Sequence, residues 1–359
     1  MIRHFDRPLF FSVLLLCGIG IAMTYSATVT TIALADYWQR QLVFTILGAI
    51  ALVTAALFDY RHLELLAQPS YILLMASLLA VYLVGEVKSG AQRWLNLGVD
   101  VQPTEAGKFL LIVFLAWYLS RFQDRIRRLS YLIGIIILLL LPLGLVYVQP
   151  DLGMTVTLAF ISGTLILISG VRLVHVLLGL AAGAATWPIL RGTLQDYMVE
   201  RIEIFLDPAS NPDAAFNVQQ ALISIGNGGW IGMGWGEGSQ NQLHFLRVRH
   251  TDFIFSVIAE ELGFIGTVLV LLLLFFVIWR LVRIADLAQD QFGRLITLGV
   301  ASLIFFQTFV NVGMNLAILP VTGMTLPFLS YGGSSLVSMM VAVGLAQSVV
   351  MRHRKMDFA

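Results

Sequence analysis

The chain carries a series of apolar runs that are long enough to cross a lipid bilayer. A transmembrane helix needs roughly 20 mostly apolar residues. Runs that meet or approach this length lie near residues 9–27, 41–58, 71–85, 105–120, 131–148, 152–170, 173–190, 253–279, 293–315 and 333–350. Only 12% of the residues are charged, against about 25% in soluble domains. We therefore predict an all-α integral membrane protein with about ten transmembrane helices, in which residues 1–359 form a single polytopic membrane domain.

The lysines and arginines of the short loops predict how the helices are oriented. Cytoplasmic loops of membrane proteins carry an excess of Lys and Arg. One side of the predicted bundle holds most of them, namely Arg3, Arg7, Arg61, Arg121, Arg125, Arg127, Arg128, Arg172, Arg280, Arg283, Arg294, Arg352, Arg354 and Lys355. The short loops opposite hold only Arg40, Lys88 and Arg93. Both termini are therefore predicted to be cytoplasmic, and topology explains the basic loops without a nucleic-acid partner.

Three irregular regions are left on the non-cytoplasmic side, at residues 86–104, 191–252 and 316–332. The middle one, between the seventh and eighth spans, is the only long loop, and loops beyond about 12–15 residues are usually functional or disordered. It contains an apolar stripe at helical spacing followed by a glycine as a helix stop, at Val218, Ala221, Leu222, Ile225 and Gly226. We predict an ordered extracytoplasmic loop with short interfacial helices.

Prolines mark the predicted starts of two spans, with Pro69 before the third span and Pro103 before the fourth. Just inside the fourth span lie two charged residues. Because Pro103 suits the first turn of a helix, Glu105 and Lys108 share one helix face about one turn further on. A charge inside a membrane is costly and indicates function. A structural ion pair, or a lysine that extends to the interface, explains the same residues equally well.

A second polar group opens the eighth span. Asp252 directly follows Arg249, His250 and a threonine, and such cations can neutralise phosphate while one carboxylate stays free. Aspartate is also a favoured N-cap residue, which is the more common explanation for an isolated aspartate at a helix start. Glu260 and Glu261 are adjacent and cannot both face lipid. We interpret them as structural groups, buried against neighbouring helices or backbone donors.

Irregular backbone is predicted before the last span. Two prolines and three glycines between Leu319 and Gly333 prevent a simple helix, and irregular backbone at membrane depth is tolerated only inside protein or along a cavity. The glycine- and serine-rich start of the last span can bind an anion, although an ordinary helix start explains it as well. The glycines from Gly226 to Gly238 match neither the P-loop nor the dinucleotide pattern. With Cys17 as the only cysteine and scattered histidines, no protein-held metal site is predicted.

These motifs, in this order, resemble those of the SEDS family (shape, elongation, division and sporulation), whose members polymerise bacterial cell-wall glycan. The matching segments are Gly90–Gly98, Gln102–Glu105 with Lys108, Gln149–Gly153, His250–Phe255, Glu260–Gly263, Leu326–Phe328 and Ser330–Ser335. The family is also known for ten spans and a large outer loop between the seventh and eighth. Gly238–Leu243 and Arg249 resemble the RodA branch more than the FtsW branch, whereas Arg247–Val248 departs from the common Pro-Glu pair.

The resemblance implies a peptidoglycan glycosyltransferase that polymerises lipid II during cell elongation, at the outer face of the bacterial cytoplasmic (inner) membrane. Asp252 matches the family's essential acidic residue. It would act as the general base for the attacking 4-hydroxyl of the acceptor GlcNAc, with inversion at the donor MurNAc and release of undecaprenyl pyrophosphate.

The resemblance also implies the groups that bind substrate. Arg93 and Lys108, with Arg249 behind them, would neutralise the leaving pyrophosphate, and Glu105 would orient Lys108. Gln220 matches a recurrent family glutamine and would contact sugar. No tightly bound cofactor is implied; the family's activity is associated with divalent cations, and Mg²⁺ or Mn²⁺ would travel with the pyrophosphate. The implied partners are a class B penicillin-binding protein, which is a transpeptidase, and the elongation machinery.

Two other functions fit parts of the same pattern. A flippase for the lipid-linked cell-wall precursor would use the same polar cavity, but its polar residues should continue across the bundle, whereas here they gather on one side. A structural scaffold would need no paired Glu105 and Lys108 inside the membrane. The glycosyltransferase remains the predicted function.

Overall fold

The computed structural model of the protein describes residues 4–88, 91–96, 100–172, 174–179, 181, 183, 185, 192, 196–243 and 245–353. Helices in these ranges include α1 (Arg7–Thr28), α2 (Tyr37–Leu57), α3 (Leu63–Val84), α4 (Pro103–Arg121), α5 (Leu129–Val148), α6 (Leu152–Ile168), α7 (Asp196–Leu206), α8 (Pro212–Asn227), α9 (Ser239–Gln242), α10 (Ile254–Leu287), α11 (Gln291–Asn315) and α12 (Gly333–Met351). Three short strands lie between α3 and α4: β1 (Glu86–Lys88), β2 (Ala91–Asn96) and β3 (Asp100–Val101).

The helices confirm a multi-pass membrane protein. Within the described ranges, seven helical segments are long and apolar enough to cross a membrane, and they contain α1, α2, α3, α5, α10, α11 and α12. The 19 residues of α4 and the 17 residues of α6 coincide with the predicted fourth and sixth spans. Half of the predicted seventh span, at 173–190, lies outside the described residues, and the part that is described, at 174–179, 181, 183 and 185, is helical.

Ion pairs define one end of the bundle. Oδ2 of Asp6, just before α1, lies 2.5 Å from Nη2 of Arg280 near the end of α10. Oδ2 of Asp59, between α2 and α3, lies 3.3 Å from Nε of Arg352, which follows α12. The first pair places the start of α1 at the same height along the bundle as Arg280. We call this the Arg280 end, and the opposite end, where α10 begins, the Asp252 end.

The prediction that Pro69 precedes the third span is wrong. α3 begins at Leu63 and contains Pro69 in its second turn. The proline removes one backbone hydrogen bond, which a membrane helix tolerates when its surroundings satisfy the freed carbonyl group. Pro103 does start α4, with Gln102 in the N-cap position, as the sequence predicts.

A small antiparallel sheet, which the sequence pattern does not predict, lies at the Asp252 end. β2 pairs with β1 through Glu86 and Trp94 and with β3 through Leu95 and Val101. The sheet connects α3 to α4 and presents Arg93, in the middle of β2, toward the bundle.

Helix α10 breaks at Gly263, and the outer loop binds at the break. Gly263 has φ +68°, a conformation that favours glycine. The N–H of Met233 donates to the carbonyl oxygen of Glu260 (2.9 Å), and the N–H of Phe264 donates to that of Gly229 (2.8 Å). The glycines between Gly226 and Gly238, which fit no nucleotide motif, therefore include positions where the loop backbone approaches α10 closely.

Candidate active site

A cavity of about 670 Å³ opens at the Asp252 end of the bundle. It is bounded by β2, the turn between α5 and α6, the amphipathic helices α7 and α8, the start of α10 and the irregular segment after α11. Its polar lining consists of Arg93, Glu200, Arg201, Asn217, Gln219 and Asp252. Apolar side chains make up much of the remaining wall, among them Ile204, Phe205, Leu222, Leu319 and Val321. The cavity thus combines opposite charges with an apolar surface.

Asp252 lies just before α10 and does not cap it. α10 begins at Ile254, with Phe253 in the N-cap position and no side-chain capping bond, so the capping explanation of Asp252 is wrong. The main-chain carbonyl oxygen of Asp252 instead accepts hydrogen bonds from Nδ2 of Asn311 and Nδ2 of Asn315, each at 3.0 Å. Both asparagines are fully buried on α11. They fix the backbone of Asp252 where its side chain lines the cavity.

The carboxyl group of Asp252 is a stronger base than an ordinary aspartate. Burial raises its pKa to about 6, although a hydrogen bond with Thr251 and the charge of Arg201 act in the opposite direction. Burial disfavours the charged form of a carboxyl group, which accounts for the sign. A carboxyl group with such a pKa is ionised at neutral pH and is suited to accept a proton.

His250 does not compete with Asp252 for this role. Its ring packs edge-on against Tyr37 and Tyr331, with centroids 5.3 and 5.9 Å away. Burial, followed by the charge of Arg249, lowers the pKa of His250 to about 4. The imidazole is therefore neutral and weakly basic, and Asp252 is the stronger base of the two.

The structure does not bring Arg249 to the cavity wall. Its buried guanidinium donates to the carbonyl oxygens of Ala27 and Leu246 and, at 2.7 Å, to Oγ1 of Thr31. Arg249 therefore ties the segment before Asp252 to the end of α1. Because these donors are directed at protein oxygens, we do not retain Arg249 among the proposed substrate-binding groups.

Arg93 reaches the cavity from β2. Its Nη1 lies 3.5 Å from Oδ2 of Asp151, and its Nη2 donates to the carbonyl oxygen of Pro150. Asp151 also accepts from the N–H of Met154 and so caps α6. Nε of Arg93 is buried and has no hydrogen-bond partner among the described residues. A guanidinium held in this way can bind a further anionic group.

Glu105 and Lys108 form an ion pair inside the bundle. Nζ of Lys108 lies 2.6 Å from Oε2 of Glu105, and Lys108 is only 2% exposed. The pair adjoins a small void beside Ser335 and Ser338, and it does not line the main cavity. It interacts electrostatically with Asp151. Lys108 therefore lies behind the Arg93–Asp151 pair.

Four polar residues of the cavity were not identified from the sequence, namely Glu200, Arg201, Asn217 and Gln219. Arg201 lines the cavity from α7 and donates from Nη1 to the carbonyl oxygen of Val321 (3.0 Å). Gln219 lines it from α8, whereas Gln220, the predicted sugar contact, does not. Arg201 lies three residues before Ile204, which also lines the cavity. This helical spacing in an amphipathic segment is a signal by which Arg201 could have been found.

Glu260 and Glu261 are structural, as predicted. The carboxylate of Glu260 accepts hydrogen bonds from the N–H groups of Gln240 (2.8 Å) and Asn241 (3.3 Å) at the start of α9. Oε1 of Glu261 accepts from Nδ2 of Asn241 (2.8 Å) and from the hydroxyl of Ser26. Both glutamates are buried, and they hold the outer loop against α1 and α10.

The glycine- and serine-rich segment before α12 holds the two residues that precede Asp252. Oγ of Ser330 donates to the carbonyl oxygen of Thr251 (2.7 Å), and the N–H of Tyr331 donates to that of His250 (2.9 Å). α12 begins at Gly333 without a side-chain cap. The start of α12 does not line the main cavity. The anion-binding site that the sequence allows at this helix start is therefore not part of the cavity.

The site therefore joins three chemical capabilities in one space. It contains a carboxylate able to accept a proton, two arginines on different walls, and apolar helices that can cover a lipid-linked ligand. A general base combined with cations near a leaving anion is suited to displacement of a phosphate leaving group.

Comparison with known proteins identifies the family. Residues 7–355 match the cell cycle protein family of FtsW, RodA and SpoVE. The chain belongs to this family. It is 38% identical to a probable peptidoglycan glycosyltransferase FtsW of Trichlorobacter lovleyi over 97% of this chain and 93% of that protein. It is also 38% identical to the peptidoglycan glycosyltransferase MrdB of Escherichia coli K12, over 98% of this chain and 95% of that protein.

Solved structures share the fold over nearly the whole chain. A chain of a peptidoglycan synthase complex that coordinates polymerization and crosslinking has a TM-score of 0.83 at 32% identity, covering 98% of this chain and 99% of that chain. The rod shape determining protein RodA of Thermus thermophilus has a TM-score of 0.73 at 30% identity, covering 98% of each chain. The all-α membrane fold and the SEDS family are thus confirmed.

Proposed function

We propose that this protein is a peptidoglycan glycosyltransferase that polymerises lipid II into glycan strands. The single observation that carries the proposal is the cavity in which Asp252, Arg93 and Arg201 meet. The names of the curated relatives support the same activity. The cavity's apolar wall suits a substrate that carries a lipid chain next to its charged and sugar groups.

In this mechanism Asp252 is the general base. Its carboxylate accepts the proton of the 4-hydroxyl of the acceptor GlcNAc while that oxygen attacks the anomeric carbon of the donor MurNAc. The bond from that carbon to the pyrophosphate oxygen breaks, the configuration inverts, and undecaprenyl pyrophosphate leaves with the bonding electron pair. A base positioned for such a transfer contributes about 10²–10⁴ in rate.

Two arginines would stabilise the leaving pyrophosphate. Arg93 approaches from β2 and Arg201 from α7, so they flank the cavity on different elements. Charge that develops on a leaving group is best stabilised by cations already held in place. Asp151 positions Arg93, and the buried Glu105–Lys108 pair lies behind it. Lys108 therefore has a positioning role in this proposal.

The proposal includes the surroundings of the reaction. The protein would lie in the bacterial inner membrane with both termini in the cytoplasm and the Asp252 end outside, where it would act in cell elongation. A class B penicillin-binding protein would supply the transpeptidase activity, which agrees with the structural likeness to a chain of a synthase complex. Any divalent cation would arrive with the substrate pyrophosphate.

The decisive experiment measures polymerisation of purified lipid II by the protein with its penicillin-binding partner. We expect Asp252→Asn, which keeps the shape of the side chain and removes the base, to lower the rate by about 10²–10⁴. Binding of lipid II should persist, because the arginines are unchanged. The matched control is Asp213→Asn, which removes an exposed carboxylate of α8 outside the cavity and should leave the rate unaltered.

The same assay separates the enzyme from a flippase. An unreduced polymerisation rate in Asp252→Asn would contradict the mechanism, because the variant retains no carboxylate at this position. Transport of lipid II across vesicle membranes by a variant that no longer polymerises would instead favour the flippase.

A further inference from the structure

The outer loop between α8 and α9 carries an apolar surface that neither the fold nor the proposed chemistry requires. Its segment Gly228–Gly236 lies against the break in α10 at Gly263. Within it, Trp230 is 73% exposed and Ile231 is 81% exposed. Bulky apolar side chains so exposed on a loop indicate an interaction surface.

The backbone of this segment satisfies its polar groups through α10. The break at Gly263 leaves carbonyl groups before it and N–H groups after it without partners in the helix. The loop supplies those partners: Gly234 N–H donates to the carbonyl oxygen of Glu261 (3.1 Å), and Ile265 N–H donates to that of Trp230 (3.1 Å). Irregular backbone is tolerated at membrane depth when protein satisfies its hydrogen bonds in this way.

Helix geometry gives the depth of the segment along α10. Arg280 and Trp279 stand near one end of this span, and their charged and aromatic side chains suit a membrane boundary. Phe264, the first residue after the break, lies 16 residues before Arg280, which is about 24 Å along a helix. Because the hydrocarbon core is about 30 Å thick, residues 260–265 and the loop bound to them lie near its opposite boundary.

Helix α1 gives the same depth independently. The Asp6–Arg280 ion pair brings the start of α1 level with Arg280. Nε1 of Trp235 donates to the carbonyl oxygen of Ala22 (3.3 Å), and its ring stacks on Tyr25 with centroids 5.6 Å apart. Tyr25 follows Arg7 by 18 residues, or about 27 Å along a helix. The loop therefore reaches just below the boundary of the hydrocarbon core.

The exposed surface of the loop continues onto the lipid-facing side of α10. Trp230 packs edge-on against Phe264, with centroids 5.3 Å apart. Phe264, Ile265 and Leu269 are exposed in turn along this candidate span. Because this side of α10 faces lipid, the loop surface that continues it should also face lipid. Tryptophan is enriched at the membrane boundary, which agrees with the position of Trp230.

We propose that residues 228–236 form a wedge, the glycine wedge, seated in the bilayer boundary at the Asp252 end with Trp230 and Ile231 in contact with lipid. The long loop is thus not wholly outside the membrane. The glycine wedge anchors the chain that continues through α9 to Asp252. In this way the wedge fixes how far the cavity lies from the bilayer. This inference does not depend on the proposed activity.

Spin labels test the location of the wedge. In a Cys17→Ala background, Ile231→Cys is labelled with a nitroxide and the protein is reconstituted in phospholipid vesicles. Collision with oxygen, which concentrates in lipid, is compared with collision with a water-soluble nickel chelate. We expect an oxygen-to-nickel ratio several-fold higher at position 231 than in Ser210→Cys, whose exposed loop position follows α7. The ratio should lie between that of Ser210→Cys and that of Leu272→Cys, an exposed position in mid-span of α10, because oxygen is most concentrated at the centre of the bilayer.

Two results would overturn the proposal. A label at position 231 as accessible to the nickel chelate as one at Ser210→Cys would place the segment in water. A label shielded from both reagents would show that another protein or a second copy covers the surface. Met233→Cys repeats the measurement at a second exposed position, and the thermal unfolding midpoint of each labelled variant checks that the fold is intact.

Discussion

Asp252 differs from the other buried acids of the protein in how its carboxylate is held. The carboxylate of Glu105 is paired with an ammonium, that of Asp151 is paired with Arg93 and caps a helix, and that of Glu260 accepts bonds from main-chain N–H groups. Such partners stabilise the charged form. Burial raises the pKa of Asp151 even beside Arg93, and it raises the pKa of Asp252 to about 6. Of these two carboxyl groups, that of Asp252 lines the cavity, where its raised pKa suits it to act as a base.

Polymerisation should therefore depend on pH through Asp252. A carboxylate accepts a proton only when ionised, so the rate should fall as the pH drops through about 6. Arg201 lowers the pKa of Asp252, so Arg201→Gln should move the inflection to higher pH, whatever it does to substrate affinity. The measurement is kcat/KM against pH for both proteins. An inflection that stays in place or moves downward in Arg201→Gln would contradict the assigned charge interaction.

The sequence predicts some of these residues and not others for a physical reason. Arg93 and Asp252 stand in recognisable motifs and do line the cavity. Arg249 stands in the same motif, yet its guanidinium is directed at α1, because a motif records which residue is present and not where its side chain points. Arg201 lies in no recognised motif, and it reaches the cavity only because the fold packs α7 against segments that are distant in the sequence.

At the scale of elements, local periodicity predicts helices better than it predicts contacts between them. The apolar spacing from Val218 to Ile225 predicts α8, which the structure confirms. β1 has three residues, too few to show an alternation, and the six residues of β2 do not alternate between apolar and polar. The break at Gly263 interrupts a run of apolar residues that otherwise reads as one helix, and its reason lies in a loop some 30 residues earlier in the chain.

The contact between the glycine wedge and α10 should be sensitive to one added methyl group. A Cβ at Gly232, where φ is +85°, would lie 2.1 Å from the carbonyl oxygen of Glu261. Gly236 also has a positive φ, +77°, but its Cβ would meet open space. Gly236→Ala should therefore cost about 1–3 kcal/mol from the backbone conformation alone, and Gly232→Ala clearly more.

The unfolding midpoints of the two variants are compared in detergent and in lipid. Both substitutions introduce backbone strain, and only Gly232→Ala adds a steric clash, so the difference between the midpoints reports the clash. The larger decrease in the unfolding midpoint should belong to Gly232→Ala, together with a loss of polymerisation as the chain leading to Asp252 shifts. Equal midpoints would show that the loop does not approach α10 as closely as described.

At the scale of the whole molecule, charge is distributed between two unlike ends. The Arg280 end concentrates arginines, and several of them are fixed by partners, as Arg280 is by Asp6 and Arg352 by Asp59. The Asp252 end concentrates irregular backbone, the cavity and amphipathic helices. Because the excess of Lys and Arg marks the cytoplasmic side, this distribution predicts that substrate reaches the site from outside.

Labelling of intact cells with a membrane-impermeant maleimide tests this orientation. In the Cys17→Ala background, Ser210→Cys lies in an exposed loop at the Asp252 end, and Gln123→Cys lies in the exposed turn between α4 and α5 at the other end. Ser210→Cys should react in intact cells, and Gln123→Cys only after the membrane is opened. The reverse pattern would place Asp252 in the cytoplasm, where a polymerase of external glycan could not work. Reaction at both positions in intact cells would mean that the chain inserts in two orientations, and the arginine distribution would then not fix its topology.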